Sequence, residues 1–219
     1  MIRVRVKVCC IGSIEEARTA IEAGADAVGL VSSMPSGPGV ISEDLIRAIA
    51  RTVPPPIATF LLTCHQRVKD IVAQQHRCGT NTVQLCDRLV DGSYADLRAA
   101  MPGVSIVQVI HVNSRESVQE AIDIAPYVDA LLLDSGNQKL ATKELGGTGR
   151  THDWRLSAEI RQTARAPVFL AGGLRAENVS DAIARVEPWG VDLCSGIRSD
   201  GRLDQSKLEA FMAQLSAWR

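Results

Sequence analysis

Eight short apolar runs, each followed by a helix-forming segment, alternate strictly along the chain, and this alternation leaves few folds open. The runs are residues 3–9, 27–31, 57–62, 80–85, 104–110, 130–133, 167–170 and 191–194. Bounded by turn residues and mostly apolar throughout, they read as strands buried on both faces. The helical segments are residues 13–23, 42–52, 64–76, 93–100, 114–124, 153–164, 176–186 and 203–218. Ser13 and Glu16 have the spacing of a capping box, and Ser42 can cap the second helix. Pro54-Pro55-Pro56 and Met101-Pro102-Gly103 break the chain between elements. Such alternation implies a parallel sheet with right-handed crossovers. Eight units of about 27 residues in 219 match an α/β fold, the (β/α)8 TIM barrel. A doubly wound open sheet is the runner-up. It has fewer units and a glycine-rich turn after its first strand, whereas residues 9–12 here read C-C-I-G. No linker or low-complexity tract divides residues 1–219, so one barrel domain is expected.

Nearly half the chain, 46%, is hydrophobic, enough for a sizeable core. A net charge of -1 and a pI near 6.4 give no electrostatic footprint for nucleic acid or an anionic membrane. The six cysteines form no C-x-x-C pair, and the His/Cys spacings match no zinc site, so no metal is expected. Cys10, Cys86 and Cys194 sit in or beside apolar runs as buried thiols do, which points to a reducing cytosol. Residues 1–8 alternate charged and β-branched side chains and read as a strand, not a signal peptide. No apolar run approaches the roughly 18 residues of a membrane helix.

In a barrel the chemistry lies at the C-terminal ends of the strands. Those positions hold Cys9, the breaker-rich loop 32–39, Cys86 and Asp87, His111, Asp134, Gly172-Gly173 and Ser195-Gly196. Gly172, Gly173, Ser195 and Gly196 follow strands seven and eight, where barrels commonly bind phosphate. Small residues there let backbone N–H groups approach the anion. The plainer alternative is that these glycines only make tight turns. Cys9 and Asp134 end strands one and six and face the mouth from roughly opposite sides. A thiolate and a carboxylic acid can serve as base and acid across a small substrate. The plainer readings are a small buried hydrophobe for Cys9 and a turn residue or helix cap for Asp134. The loop after strand six is long for a βα connection, as lids and binding loops are, and carries Gly146, Gly147, Thr148 and Gly149. Glu15, Glu16, Arg18 and Glu22 read as a solvated helix face, and His65 and His76 as residues of a surface helix. Trp154 and Trp189 read as packing residues, and His111 is the one histidine placed to line the mouth.

Several segments match one family in order along the whole chain. Residues 7–12, K-V-C-C-I-G, stand where that family has K-I-C-G-I-T. Residues 23–30 read A-G-A-D-A-V-G-L, and 83–87 read V-Q-L-C-D against V-Q-L-H-G. Residues 131–134 read L-L-L-D, 146–154 G-G-T-G-R-T-H-D-W, 170–179 L-A-G-G-L-R-A-E-N-V, and 190–198 G-V-D-L-C-S-G-I-R. The chain resembles the phosphoribosylanthranilate isomerase family of tryptophan biosynthesis. The resemblance implies an Amadori rearrangement of N-(5′-phosphoribosyl)anthranilate without metal or organic cofactor. It implies Asp134 as the general acid of ring opening and Cys9 as the general base at C2′. It further implies that Gly172, Gly173, Ser195 and Gly196 hold the 5′-phosphate, and that residues 146–149 close over the substrate.

The sequence departs from the family at five informative positions. Gly39 stands where the family has an arginine that resembles a clamp for the anthranilate carboxylate. Loss of such an oriented pair costs a few kcal/mol, on the order given for charged hydrogen bonds in desolvated sites. Cys10 replaces a glycine, Gly12 a threonine, Cys86 a histidine, and Arg198 a glutamate. Arg198 and Arg150 are the candidate replacements for the clamp. The residues thus leave open a paralogue acting on another phosphorylated sugar or amine adduct, or a non-catalytic barrel binding a phosphometabolite or a partner protein. The expected partner is a small phosphorylated substrate, and nothing in the residues chooses between a monomer and a homodimer.

Overall fold

The computed structural model describes residues 3–136, 140, 142–147 and 149–218. Eight parallel strands run in sequence order around a closed barrel: β1 Arg5–Val8, β2 Ala27–Val31, β3 Ala58–Thr63, β4 Thr82–Leu85, β5 Ser105–His111, β6 Ala130–Asp134, β7 Val168–Leu170 and β8 Gly190–Leu193. β1 closes the ring on β8, with Lys7 opposite Asp192 and Val8 opposite Leu193. The helices alternate with them: α1 Ile14–Glu22, α2 Glu43–Thr52, α3 Val68–Cys78, α4 Tyr94–Ala100, α5 Glu116–Ile124, α6 Trp154–Thr163, α7 Val179–Val186 and α8 Gln205–Gln214. Ser13, Ser42, Ser93 and Asp153 start their helices by accepting a backbone N–H in the first turn.

Successive strand residues point to opposite sides, so each strand serves two cores. Val6, Val8, Leu61 and Leu131 pack with the inner faces of helices, as do Ile46 of α2 and Ile160 of α6. Ala27, Phe60, Val107 and Leu132 pack among themselves inside the barrel, and Phe60 meets Phe169 edge to face. Lys7, Cys9, Gln84, Asp134 and Asp192 follow the same inward spacing, so the barrel interior is where these strands carry their polar groups.

Three elements differ from the expectation. The helix expected from residue 64 starts at Val68, because Thr63 Oγ1 takes the N–H of His65 and the Gln66 carbonyl accepts from Val90 and Asp91. His65 is therefore an exposed loop residue, while His76 does lie on α3. The helix expected from residue 176 starts at Val179, because Asn178 folds back on the preceding turn. The last helix starts at Gln205. Leu203 instead belongs to a two-stranded hairpin of β9 (Arg198–Ser199) and β10 (Arg202–Leu203), and Asp204 caps α8. No helix among the described residues is long and apolar enough to cross a membrane.

Candidate active site

Cys9 follows directly on β1, and its N–H donates to the Leu193 carbonyl of β8 at 2.7 Å. Its thiol turns into the barrel mouth and is almost wholly buried, at 5% exposure. Gly29 of β2 makes room for it: a Cβ there would lie 2.8 Å from the Cys9 sulfur and 3.1 Å from Lys7 Nζ. One missing side chain thus leaves space for both groups. Lys7 is fully buried, and its Nζ donates to Asp192 Oδ1 at 2.8 Å. Burial works against its ammonium, but the Asp192 charge, the nearby Cys9 sulfur and the hydrogen bond outweigh it and hold Lys7 above the ordinary lysine value. Burial pushes the Asp192 carboxyl up, opposed by Lys7.

Asp134 ends β6 between two glycines. A Cβ on Gly146 would lie 2.7 Å from its Oδ2, and one on Gly172 3.3 Å from its Oδ1. Oδ1 accepts the Ser135 N–H at 2.7 Å, which fixes the carboxyl rotamer. His152 stands behind Gly172 and meets Ser157 Oγ at 2.6 Å through Nε2. Burial lowers its pKa against the pull of Asp134 and Asp153. A histidine whose folded pKa lies below its unfolded value binds fewer protons in the native state, so stability rises with pH in that window. The His152 contribution is therefore complete above about pH 6.5 and is lost as pH falls through the lowered value. Urea midpoints measured down this range should fall less steeply for His152→Asn than for the parent chain.

The turns after β7 and β8 close on each other. Gly172 and Gly173 take φ of 85° and 61°, in the left-handed region. Asn178 Nδ2 donates to the Gly173 carbonyl at 3.0 Å while its Oδ1 accepts the Arg175 N–H at 2.8 Å, so this one side chain clasps the turn. A Cβ on Gly196 would strike the Leu174 carbonyl at 2.2 Å. Gly172, Gly173 and Ser195 line a mouth cleft of about 680 Å³, counted out to open solvent, with Cys9 and Asp134. Gly196 lies outside that lining, packed beneath the turn.

Two loops cover the cleft. Gly146, Gly147 and Gly149 line it, and Thr148 lies outside the described residues. Gly147 packs so closely on Pro38 that a Cβ would lie 2.6 Å from the proline ring. Gly149 sits over Ser195 Oγ. Residue 143 pins this cover: Lys143 Nζ pairs with buried Asp87 at 2.5 Å, and its carbonyl accepts from Ser36 Oγ at 2.7 Å. Asp87→Asn should raise KM about two- to fivefold with little change in kcat, the size expected of a pair whose lysine end is partly exposed. Steady-state kinetics at low and high salt would test this, since screening should narrow the gap.

The model of the family described as N-(5'phosphoribosyl)anthranilate (PRA) isomerase matches residues 6–214. The chain belongs to this isomerase family. It is 36% identical over 211 residues to N-(5'-phosphoribosyl)anthranilate isomerase 2 of Methanosarcina mazei, covering 95% of this chain and 92% of that one. The phosphoribosyl anthranilate isomerase of Thermotoga maritima superposes with a TM-score of 0.80 at 28% identity, over 98% of this chain and 99% of its own. A phosphoribosyl anthranilate isomerase solved with reduced 1-(o-carboxyphenylamino)-1-deoxyribulose 5-phosphate superposes at 0.77 with 27% identity, over 98% and 99%.

Against that isomerase family the departures at Cys10 and Gly39 prove to be one feature. A Cβ on Gly39 would fall 2.5 Å from the Cys10 Cβ, so the cysteine occupies the space a side chain at position 39 would need. Both keep left-handed backbones, φ 62° at Cys10 and 79° at Gly39. Neither candidate replacement clamp reaches the cleft lining. Arg198 Nη2 donates to the carbonyls of Cys9 and Cys10 and pairs with Glu16 at 3.3 Å. Arg150 pairs with Glu144. Glu16, read as solvated, is half-buried: Oε2 accepts Gly12 N–H and Oε1 accepts Leu203 N–H. Glu15, Arg18 and Glu22 are exposed as expected. His111 does not line the cleft; its Nε2 meets the Cys86 carbonyl at 3.1 Å. Trp189, read as a packing residue, is exposed, with Arg5 stacked 3.4 Å over its ring.

Gln84 is a cleft residue that sequence reasoning passed over. It is 3% exposed and lines the floor, and its Oε1 has no hydrogen-bond partner among the described residues. A polar amide inside the apolar strand T-V-Q-L was the available signal.

Proposed function

We propose that this chain catalyses the Amadori rearrangement of N-(5′-phosphoribosyl)anthranilate to 1-(2-carboxyphenylamino)-1-deoxyribulose 5-phosphate, a step of tryptophan biosynthesis. The observation that carries the reading is that Cys9, Asp134, Gly172, Gly173 and Ser195 line one cleft. The phosphate would lie on the turns after β7 and β8, which sets the ribose between thiol and carboxyl. Asp134 gives its proton to the ring oxygen as the C1′–O bond breaks, leaving an iminium at C1′. Cys9, as thiolate, removes the C2′ proton, and the electrons of that C–H bond form the enolamine. Proton transfer to C1′ and ketone formation at C2′ complete the isomerisation. No electrons leave the substrate, so acid–base groups suffice and no cofactor enters the scheme. Gly146, Gly147 and Gly149 belong to the cover that excludes water. Residues 1–219 act as one barrel in the cytoplasm, a setting that suits six cysteines present as free thiols.

The aromatic end of the cleft favours one broader reading. Among the described residues the cleft lining carries no arginine, while apolar Met34, Pro38 and Leu145 belong to it. Phosphoribosyl adducts of amines without the carboxylate should therefore be accepted nearly as well as the anthranilate adduct. The test is turnover of freshly generated phosphoribosylanthranilate, followed by loss of its fluorescence, beside the aniline adduct followed by product chromatography. Turnover of the first establishes the isomerase. A preference for it of more than about a hundredfold, the scale of a charged hydrogen bond, would exclude the broader reading.

A further inference from the structure

The ends of β8 and β1 bring two thiols together beside the cleft. Cys10 Sγ and Cys194 Sγ lie 2.8 Å apart, and both residues line the cleft. Cys10 reaches this position from a left-handed backbone that few residues with a Cβ adopt. Cys9 Sγ is 3.9 Å from Cys10 Sγ but is a poor partner for it. Adjacent Cα atoms are about 3.8 Å apart, short of the roughly 4.4 Å that disulfides span at least. Cys10 is buried, whereas Cys194 is partly exposed and can meet a reagent.

We propose that Cys10 and Cys194 form a reversible disulfide that switches the site off while leaving Cys9 a free thiol. The oxidant is a small-molecule disulfide. Cys194 attacks one of its sulfurs, breaks its S–S bond and releases one small thiol. Cys10 then attacks the mixed disulfide at Cys194 and releases the second. The two thiol protons leave with the two small thiols, and the two electrons lost by the protein sulfurs reduce the reagent. The electrostatics agree with this order: the hydrogen bond shared with Cys10, aided by the Arg198 charge, holds Cys194 below the ordinary cysteine value. The bond would tie the strand end bearing Cys9 to the turn bearing Ser195, and so reach both sides of the site. Its effect on turnover rests on the isomerase reading; the bond itself does not.

The test treats the full chain with oxidised glutathione, alkylates the remaining thiols and maps the peptides by mass spectrometry. Fragmentation must separate Cys10 from Cys9. The expected map links Cys10 to Cys194 and shows Cys9 alkylated. Turnover should fall about tenfold or more, as small displacements of catalytic groups do, and return with dithiothreitol. Cys194→Ser and Cys10→Ser should lose the cross-link, and their turnover, whatever its starting level, should no longer respond to oxidised glutathione. Alkylation of both Cys10 and Cys194, a cross-link elsewhere, or a formed bond with unchanged turnover would overturn the proposal. A reduced protein that turns over no substrate would count against the isomerase reading, and the peptide map alone would then decide the bond.

Discussion

Cys9→Ala should lower kcat about 10²–10⁴-fold, the usual contribution of a positioned base, with KM nearly unchanged. The thiol stands at a strand end whose backbone is held by the Leu193 carbonyl, and its sulfur faces the cleft. Removing one atom that lines a cleft should change stability by about 1 kcal/mol or less. A lost rate beside an unchanged melting temperature then separates chemistry from folding. Asp134→Asn makes the complementary case. The amide keeps an oxygen to accept the Ser135 N–H, so the rotamer survives while the transferable proton is lost. It too should act on kcat. Single-turnover measurements on both variants would decide the matter, and wild-type chemistry in either would remove that residue from the proposed scheme.

Lys7→Met should produce the largest loss of stability, about 3–5 kcal/mol, because it leaves Asp192 charged and unpaired inside the barrel. The pair is fully desolvated on the lysine side and 9% exposed on the aspartate side, so water cannot replace the lost partner. The variant Lys7→Met/Asp192→Leu should recover most of that loss, since a buried ion pair replaced by apolar groups of similar volume is often neutral. Denaturant unfolding of the three proteins gives the coupling directly. Activity should not recover with stability. Lys7 Nζ and the Cys9 sulfur share the space left by Gly29, so the double variant would keep the fold and lose the charge beside the thiol. A double variant with full kcat would show that the pair serves the barrel alone.

The resolved interactions explain why some parts of this site were legible and others were not. Helix starts were readable because caps are local: Ser13, Ser42 and Asp153 act on residues within their own first turn. The place of Cys9 and Asp134 in the cleft lining was readable because each lies at the C-terminal end of a recognisable strand, where barrels open their mouth. The turn residues Gly172, Gly173 and Ser195 carried the same positional logic. Gly196 fitted the pattern too, yet it packs against the Leu174 carbonyl outside the cleft lining. Glu16 was misread because its partners, Arg198 and Leu203, lie more than 180 residues away. Arg198, one of two candidate replacements for the clamp, is held by the Cys9 and Cys10 carbonyls and Glu16, which are just as distant in the chain.

From the residues alone came the eightfold alternation, the strand ends and the small-residue turns, all carried by local pattern and spacing. Only the tertiary structure decided which face of each doubly buried strand points inward. An all-apolar strand has no amphipathic stripe from which to read its parity. Barrel closure settles that parity, and with it the pairing of Lys7 with Asp192 and the contact of Cys10 with Cys194. Each joins residues that are distant in the chain, and a closed sheet makes them neighbours by bringing its first strand against its last.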